Sequence, residues 1–234
     1  MLISLHLPKT AGTRFRSLLE SHFAGRLLAD YADAPLHETV AARRLHAVRG
    51  RADLLLRPCR LQNVDAVHGH FLAIKYSLLP GGRDWRRVTW LRDPVERLAS
   101  HYFYWRRSYE PGESGPLHRR MMEEDWSLER FCLGPELRNI YQQFLWGVPL
   151  ARFDFVGITE HFDDDIDDFA RLILGTTNFT AIDPDSSAVN ANPEAPHFYI
   201  EDTSLRARIE QHHAVDMAVY RMAHEQRNKR LQRR

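Results

Sequence analysis

The sequence predicts an α/β fold, a central parallel sheet flanked by helices, and three observations carry that expectation. Short stretches at Leu2–Leu7, Arg87–Leu91 and Phe153–Ile158 are apolar on both faces, as strands covered by helices on both sides must be. Segments with apolar residues at helical spacing alternate with them, the pattern of a doubly covered parallel sheet. The first strand also runs through a Gly-containing turn, Pro-Lys-Thr-Ala-Gly-Thr, directly into a helix. A chain of 234 residues suits one well-cored domain spanning residues 1–234.

The elements follow in order. After the first strand, Phe15, Leu18, Leu19 and Phe23 mark the apolar face of a helix. A second helix is expected over 36–49, and 51–64 show no clear pattern. Asp65–Phe71 is expected as a short strand, and Gly81-Gly82 as a turn. The strand Arg87–Leu91 ends in Arg92-Asp93-Pro94, with Asp93 placed to cap a helix and Pro94 at its first position. Val95, Leu98, Tyr102 and Trp105 give that helix one apolar face, and Ser108–Pro116, with two glycines and two prolines, is expected to be a surface loop. Helices near Ser127–Leu133 and Pro135–Leu145 precede the last strand. A helix over Asp163–Leu174 follows it, and 175–200 lack periodicity. Leu205, Ile209, Val215, Val219 and Met222 predict one closing helix from about Asp202.

Composition narrows the function classes. The net charge of +1 gives no global attraction to nucleic acid or membranes. No apolar run approaches the ~20 residues of a membrane-spanning helix, and a strand beginning at residue 2 leaves no room for a signal peptide. Cys59 and Cys132 lie far apart and read as reduced thiols, so a cytoplasmic location is expected.

Chemistry concentrates at the first turn. A strand–turn–helix junction presents unpaired backbone N–H groups and the positive end of the helix dipole to one point, which binds a phosphate or similar anion. Lys9 adds a charge, and Thr10 and Thr13 add hydroxyl donors. The spacing is not that of a nucleotide triphosphatase loop, in which lysine follows a second glycine; here Lys9 precedes Gly12 and no glycine precedes Lys9. Arg92 ends a strand as a planar fork of donors, with Ser100 two turns into the following helix. Arg97 is expected to be a structural ion-pair partner. In Val67-His68-Gly69-His70-Phe71, alternation along a strand sends both imidazoles to one side. That pair can be a hydrogen-bonded structural pair, half of a metal site, or a proton acceptor. No third ligand stands at convincing spacing, so no metal is expected.

The order of Pro8–Thr13 and of Val88–Arg106 resembles the sulfotransferases that use 3′-phosphoadenosine-5′-phosphosulfate (PAPS). Within that family, His-Gly-His resembles the carbohydrate enzymes of the heparan and chondroitin uronyl 2-O type. Phe153–Phe169 is similar to the family's later strand and helix. The resemblance covers residue 2 to about 224, except 25–62 and 106–126. It implies a P-loop-like three-layer fold and PAPS as sulfate donor. Lys9, Thr10, Ala11, Gly12, Thr13 and Arg14 would hold the 5′-phosphosulfate, and Arg92 and Ser100 the 3′-phosphate. Lys9 and His70 would be catalytic, with His68 a supporting or alternative base. The implied partner is a hydroxyl acceptor, a saccharide or glycolipid, with no nucleic acid and no membrane insertion. Arg106, Arg107, His118, Arg119 and Arg120 are candidates to recognise an anionic acceptor, and Tyr104, Trp105 and Trp126 to line an apolar one. Asn190 and Asn192 are weaker candidates for nucleotide contact. The run Asp163–Asp168 is expected to favour a helix N-terminus rather than bind metal, and the basic tail from Arg227 to be a solvated helix end. The alternatives are a P-loop-type nucleotide kinase and a non-catalytic nucleotide-binding module.

Overall fold

A computed structural model describes residues 1–177, 179 and 199–233. Five strands, β1 (Leu2–Leu5), β2 (Leu27–Asp30), β3 (Ala66–Gly69), β4 (Arg86–Leu91) and β5 (Phe155–Ile158), form one sheet in the order β2-β3-β1-β4-β5. Every neighbouring pair is parallel, with Leu2 in register with Ala66 on one side and Arg86 on the other. Strand alternation divides the core in two. Leu2, Ala66, Val88, Trp90 and Phe155 face α1 (Gly12–Phe23) and α7 (Phe162–Phe169). Ile3, Leu5, Val67, Leu91, Val156 and Ile158 face the larger cluster. That second layer draws on α2 (Val40–Leu56), α3 (Pro94–Arg107), α4 (Pro116–Glu123), α5 (Leu128–Leu133), α6 (Ile140–Phe144), α8 (Thr203–His212) and α9 (Ala214–Leu231).

The expected cap of α3 is present: Asp93 accepts hydrogen bonds from the Val95 and Glu96 N–H groups at 2.9 and 3.0 Å. Several expectations need correction. The second helix starts later and runs seven residues further than 36–49, continuing through Gly50 to Leu56. Gly50 lies against the Lys75 side chain, whose Cε would be 2.9 Å from a Cβ there, so an added side chain would shift the lysine. Strand β2 went unpredicted because it is a four-residue edge strand, mostly half-buried. Helix α4 likewise occupies a region with no sequence assignment. The helix after β5 continues beyond Phe169 as a π-helical turn over Ala170–Leu174. The closing helix is two helices broken at His213, whose ring donates from Nε2 to the Cys132 carbonyl at 2.7 Å and accepts at Nδ1 from the Asn139 N–H at 3.3 Å. The break shifts the helical phase, so Ile209 and Val219 are buried while Val215 and Met222 are exposed.

The basic tail is not solvated throughout. Arg227 and Arg230 return to the fully buried Asp165 at 2.9 and 2.7 Å, and Arg230 also reaches Asp168 at 3.1 Å and the Val156 carbonyl at 3.1 Å. Asp165 meanwhile accepts from the Ile158 N–H at 2.9 Å. The acidic run therefore ties α9 to α7 and β5. Arg97, expected in an ion pair, is fully buried with no hydrogen-bond partner for its guanidinium among the described residues, and lies 5.7 Å from the Tyr141 ring centroid. Cys59 and Cys132 are both free, and no described helix is long and apolar enough to cross a membrane.

Gly69, the last residue of β3, has a steric reason to stand between His68 and His70. A Cβ there would lie 1.7 Å from the Asp30 carbonyl oxygen of β2, and backbone cannot yield as a side chain can. Gly69→Ala should cost on the order of 3 kcal/mol or more by displacing the edge strand, read as a fall in the urea midpoint; an unchanged midpoint would show that β2 moves aside freely.

Candidate functional site

The sheet order places a switch of direction between β1 and β4. The chain leaves β1 toward β2 and leaves β4 toward β5, and a crevice outside the carboxyl ends of such strands is where α/β sheets bind ligands. A cavity of about 710 Å³ lies there, lined by the loop after β1, the end of β4, helix α3 and the turn preceding α2. Its size fits the roughly 300–1,000 Å³ of ligand pockets.

The first wall is the turn Pro8–Gly12. Lys9 and Ala11 both take left-handed backbone, at φ 68° and 60°. Alternating hand of this kind turns successive N–H groups inward into an anion-binding concavity, at a strain uncommon for residues with a Cβ. Gly12 opens α1 and must be glycine because a Cβ would overlap the His6 ring, 1.6 Å from Nε2. Thr13 and Arg14 line the cavity. Arg14 also pairs with Asp163 at 2.8 Å and lies over the Phe162 ring. Thr10 differs from expectation: its hydroxyl donates to the Leu7 carbonyl at 2.8 Å and is fully buried, so that side chain braces the turn.

The second wall holds Arg92 and Ser100, which line the same cavity as Lys9. The backbone of Arg92 is clamped by Tyr141, whose hydroxyl donates to the Arg92 carbonyl at 2.5 Å and accepts from its N–H at 3.1 Å. Tyr141 is itself fixed because Asp216 of α9 accepts from the Tyr141 and Gln142 N–H groups at 3.1 and 3.2 Å, capping α6 from another helix. Lys9, Arg14 and Arg92 line the cavity, and no carboxylate does so among the described residues. Burial and the neighbouring guanidinium groups of Arg92 and Arg107 pull the Lys9 ammonium down to about 8, and its Nζ sits 4.0 Å from the centroid of the Tyr104 ring.

The third component is a set of stacked imidazoles. His6 lies between His68 and His70, with ring centroids 5.0 and 4.3 Å away. His70 lines the cavity, and its Nδ1 is 2.7 Å from the His6 carbonyl oxygen. A carbonyl only accepts, so Nδ1 carries the proton and Nε2 keeps its lone pair in the neutral ring. Burial pulls His70 down to about 4 against the opposing effect of that hydrogen bond. His68 does not line the cavity; it is buried against Phe15, its Nδ1 2.8 Å from the Ser4 hydroxyl, and burial pulls it to about 3. The strand expected over Asp65–Phe71 ends at Gly69, so His68 lies within β3 and His70 just beyond it; both rings stack on His6, and only His70 lines the cavity.

The remaining lining was only partly foreseen. Trp105 and Tyr104 are present as expected, joined by Tyr31, Pro35, Leu36, His37, His101, Phe144, Thr159 and Tyr199. His6, two residues before the turn, and His101, next to Ser100, carry no motif that marks them for the site. The expected acceptor cations are elsewhere: Arg106 pairs with Asp125, Arg120 with Glu124 and Glu136, and His118 is buried with Nε2 donating to the Trp105 carbonyl. Arg107 and Arg119 do not line the cavity, though the charge of Arg107 reaches Lys9. Trp126 is buried, its indole donating to Glu124 at 2.6 Å. Asn190 and Asn192 lie outside the described residues. No group of His, Cys, Asp and Glu able to hold a metal ion occurs among the described residues. A scan against protein-family models finds no match, and a search of curated proteins finds no significantly similar sequence.

The buried histidines make stability depend on acid. His68 and His70 sit below the unfolded value near 6.5, so between their folded values and 6.5 the unfolded chain binds more protons. Stability is then full above that value and is lost as pH falls toward 4. Urea unfolding should show a loss on the order of 1–2 kcal/mol per such histidine between pH 7 and pH 5, and His68→Gln should flatten the slope by about one proton. An equal slope in the variant would remove His68 from the linkage.

Proposed function

We propose that the protein transfers a sulfuryl group from PAPS to a hydroxyl group, most consistent with a saccharide or glycolipid acceptor, in a P-loop-like cytoplasmic enzyme. The observation that carries this is the convergence on one cavity of the Lys9–Thr13 turn, the Arg92–Ser100 pair and the free Nε2 of His70. The donor set fits the doubly phosphorylated nucleotide: an inward-turned backbone loop, three cations and no lining carboxylate among the described residues.

PAPS supplies an activated sulfuryl group attached through a bridging oxygen to its 5′-phosphate. The turn N–H groups and the Thr13 hydroxyl bind the 5′-phosphosulfate. Lys9 opposes the negative charge that grows on the bridging oxygen, where a desolvated cation is worth more than in water. Arg92 and Ser100 hold the 3′-phosphate, with Arg92 offering a fork of donors. His70 takes the acceptor proton at Nε2 and releases it to solvent after transfer. Its low value keeps it unprotonated at neutral pH, and an anionic donor in the same cleft stabilises the imidazolium and raises it toward the working range. Pro35, Leu36, Trp105 and Phe144 give the lining an apolar and aromatic part suited to the C–H face of a sugar ring.

A screen with radiolabelled PAPS over oligosaccharides, glycolipids and phenols should yield a sulfated product. His70→Ala should lower kcat by about 10²–10⁴-fold while calorimetry finds affinity for 3′-phosphoadenosine-5′-phosphate nearly unchanged. Equal loss of both would make His70 structural. Lys9→Ala should damage binding and rate together. In the parent protein, nucleotide affinity should weaken as pH rises past about 8, where free Lys9 loses its proton. Magnesium-dependent ATP turnover would favour a kinase instead, and tight nucleotide binding without transfer to any acceptor a binding module.

A further inference from the structure

Helix α2 presents its apolar residues to solvent. At about 100° per residue, Leu45, Val48, Ala52, Leu55 and Leu56 fall within a third of its circumference. The buried residues Arg43, Ala47 and Leu54 lie on the opposite side. Leu45 and Val48 are each 47% exposed and Leu56 82%. Four of the ten exposed large hydrophobic residues described, Leu45, Val48, Leu55 and Leu56, fall on this one stripe, so they form a patch rather than a scatter.

The borders of the stripe are basic. Arg44 and Arg49 are exposed at its edges, and neither makes an ion pair with a described residue; the Arg44 guanidinium lies 5.0 Å from the Trp146 ring centroid. Arg57 and Arg60 continue the positive charge past the helix end. The only acid of α2, Asp53, is already held by those two arginines, at 3.5 and 2.5 Å. A second copy packed on this face about a two-fold axis would set arginine against arginine. An apolar stripe edged by arginines complements a surface that is apolar inside and anionic outside.

We infer that the outer face of α2 docks the protein on an anionic membrane surface. The helix lies flat, its leucines entering the headgroup–acyl boundary and Arg44 and Arg49 meeting lipid phosphates. The turn Ala34–His37, which lines the cavity, ends three residues before α2 begins, so docking places one wall of the cleft close to the membrane-bound helix. The inference rests on the helix face alone and stands or falls separately from the proposed reaction.

Co-sedimentation of the full chain with phosphatidylcholine vesicles, and with equimolar phosphatidylcholine and phosphatidylglycerol vesicles, tests it. Binding should require the anionic lipid and weaken as salt rises. The double variant Leu45→Gln/Leu56→Gln should lose about tenfold or more in affinity, and Arg44→Gln and Arg49→Gln about fivefold each. These residues are exposed, so melting temperatures should stay at the parent value, separating lost docking from lost folding. Three results would overturn the inference: no binding to either vesicle, equal and salt-insensitive binding to both, or variants that bind as the parent does. A concentration-dependent dimer abolished by Leu45→Gln would assign the face to a second copy, and binding to polyglutamate without binding to vesicles would assign it to an acidic polypeptide.

Discussion

The site depends on the placement of His6. Its ring fills the space over Gly12, stacks on His68 and His70, and lies edge-on to Tyr31, while its carbonyl fixes the tautomer of His70. One residue thus constrains both the turn that opens α1 and the tautomer of His70. A larger residue at position 12 would displace the ring, so the turn and the imidazole stack share one steric constraint. Burial keeps His6, His68 and His70 neutral, and three imidazoles stack closely because none carries charge at neutral pH.

Topology supplies the rest. Parallel strands diverging at β1 and β4 leave an opening that no crossover fills, and the loops bordering it carry Lys9 and Arg92. Each border is held from behind. Thr10 braces the first turn through Leu7, and Tyr141 braces Arg92 with Asp216 behind it. Buried Asp165 and Arg227, with half-buried Arg230, fasten the last helix to the edge of the sheet that β5 forms.

Local rules made much of this legible. The Pro8–Thr13 turn, the Asp93–Pro94 cap and the four strands other than β2 leave signatures within a few residues, and those segments appear close to where the sequence indicates. What escaped depends on distant partners. Thr10 looks like a ligand-facing hydroxyl until the chain bends back to Leu7. The basic tail looks solvated until α9 meets Asp165, more than sixty residues away in sequence. Helix α2 runs past Gly50, where glycine interrupts local propensity, and the close approach of Lys75 there is not visible from the local sequence. The His6 stack joins residues separated by more than sixty positions and has no local sign.

Charge at the cleft works against the fold. Lys9, Arg92 and Arg107 repel one another enough, together with burial, to weaken the hold of Lys9 on its proton. The left-handed backbone of Lys9 and Ala11 adds conformational strain. Neither cost helps the free protein, and an anion bound at the turn would relieve the repulsion, the left-handed residues being of the kind that form anion-binding nests. Arg14 differs, because Asp163 already neutralises part of its charge from an exposed position, leaving Lys9 and Arg92 as the cations whose electrostatic demand is least met within the described residues. Among the described residues no carboxylate lines the cavity beside them, so within that lining their charge is met only by solvent or by an anion from outside.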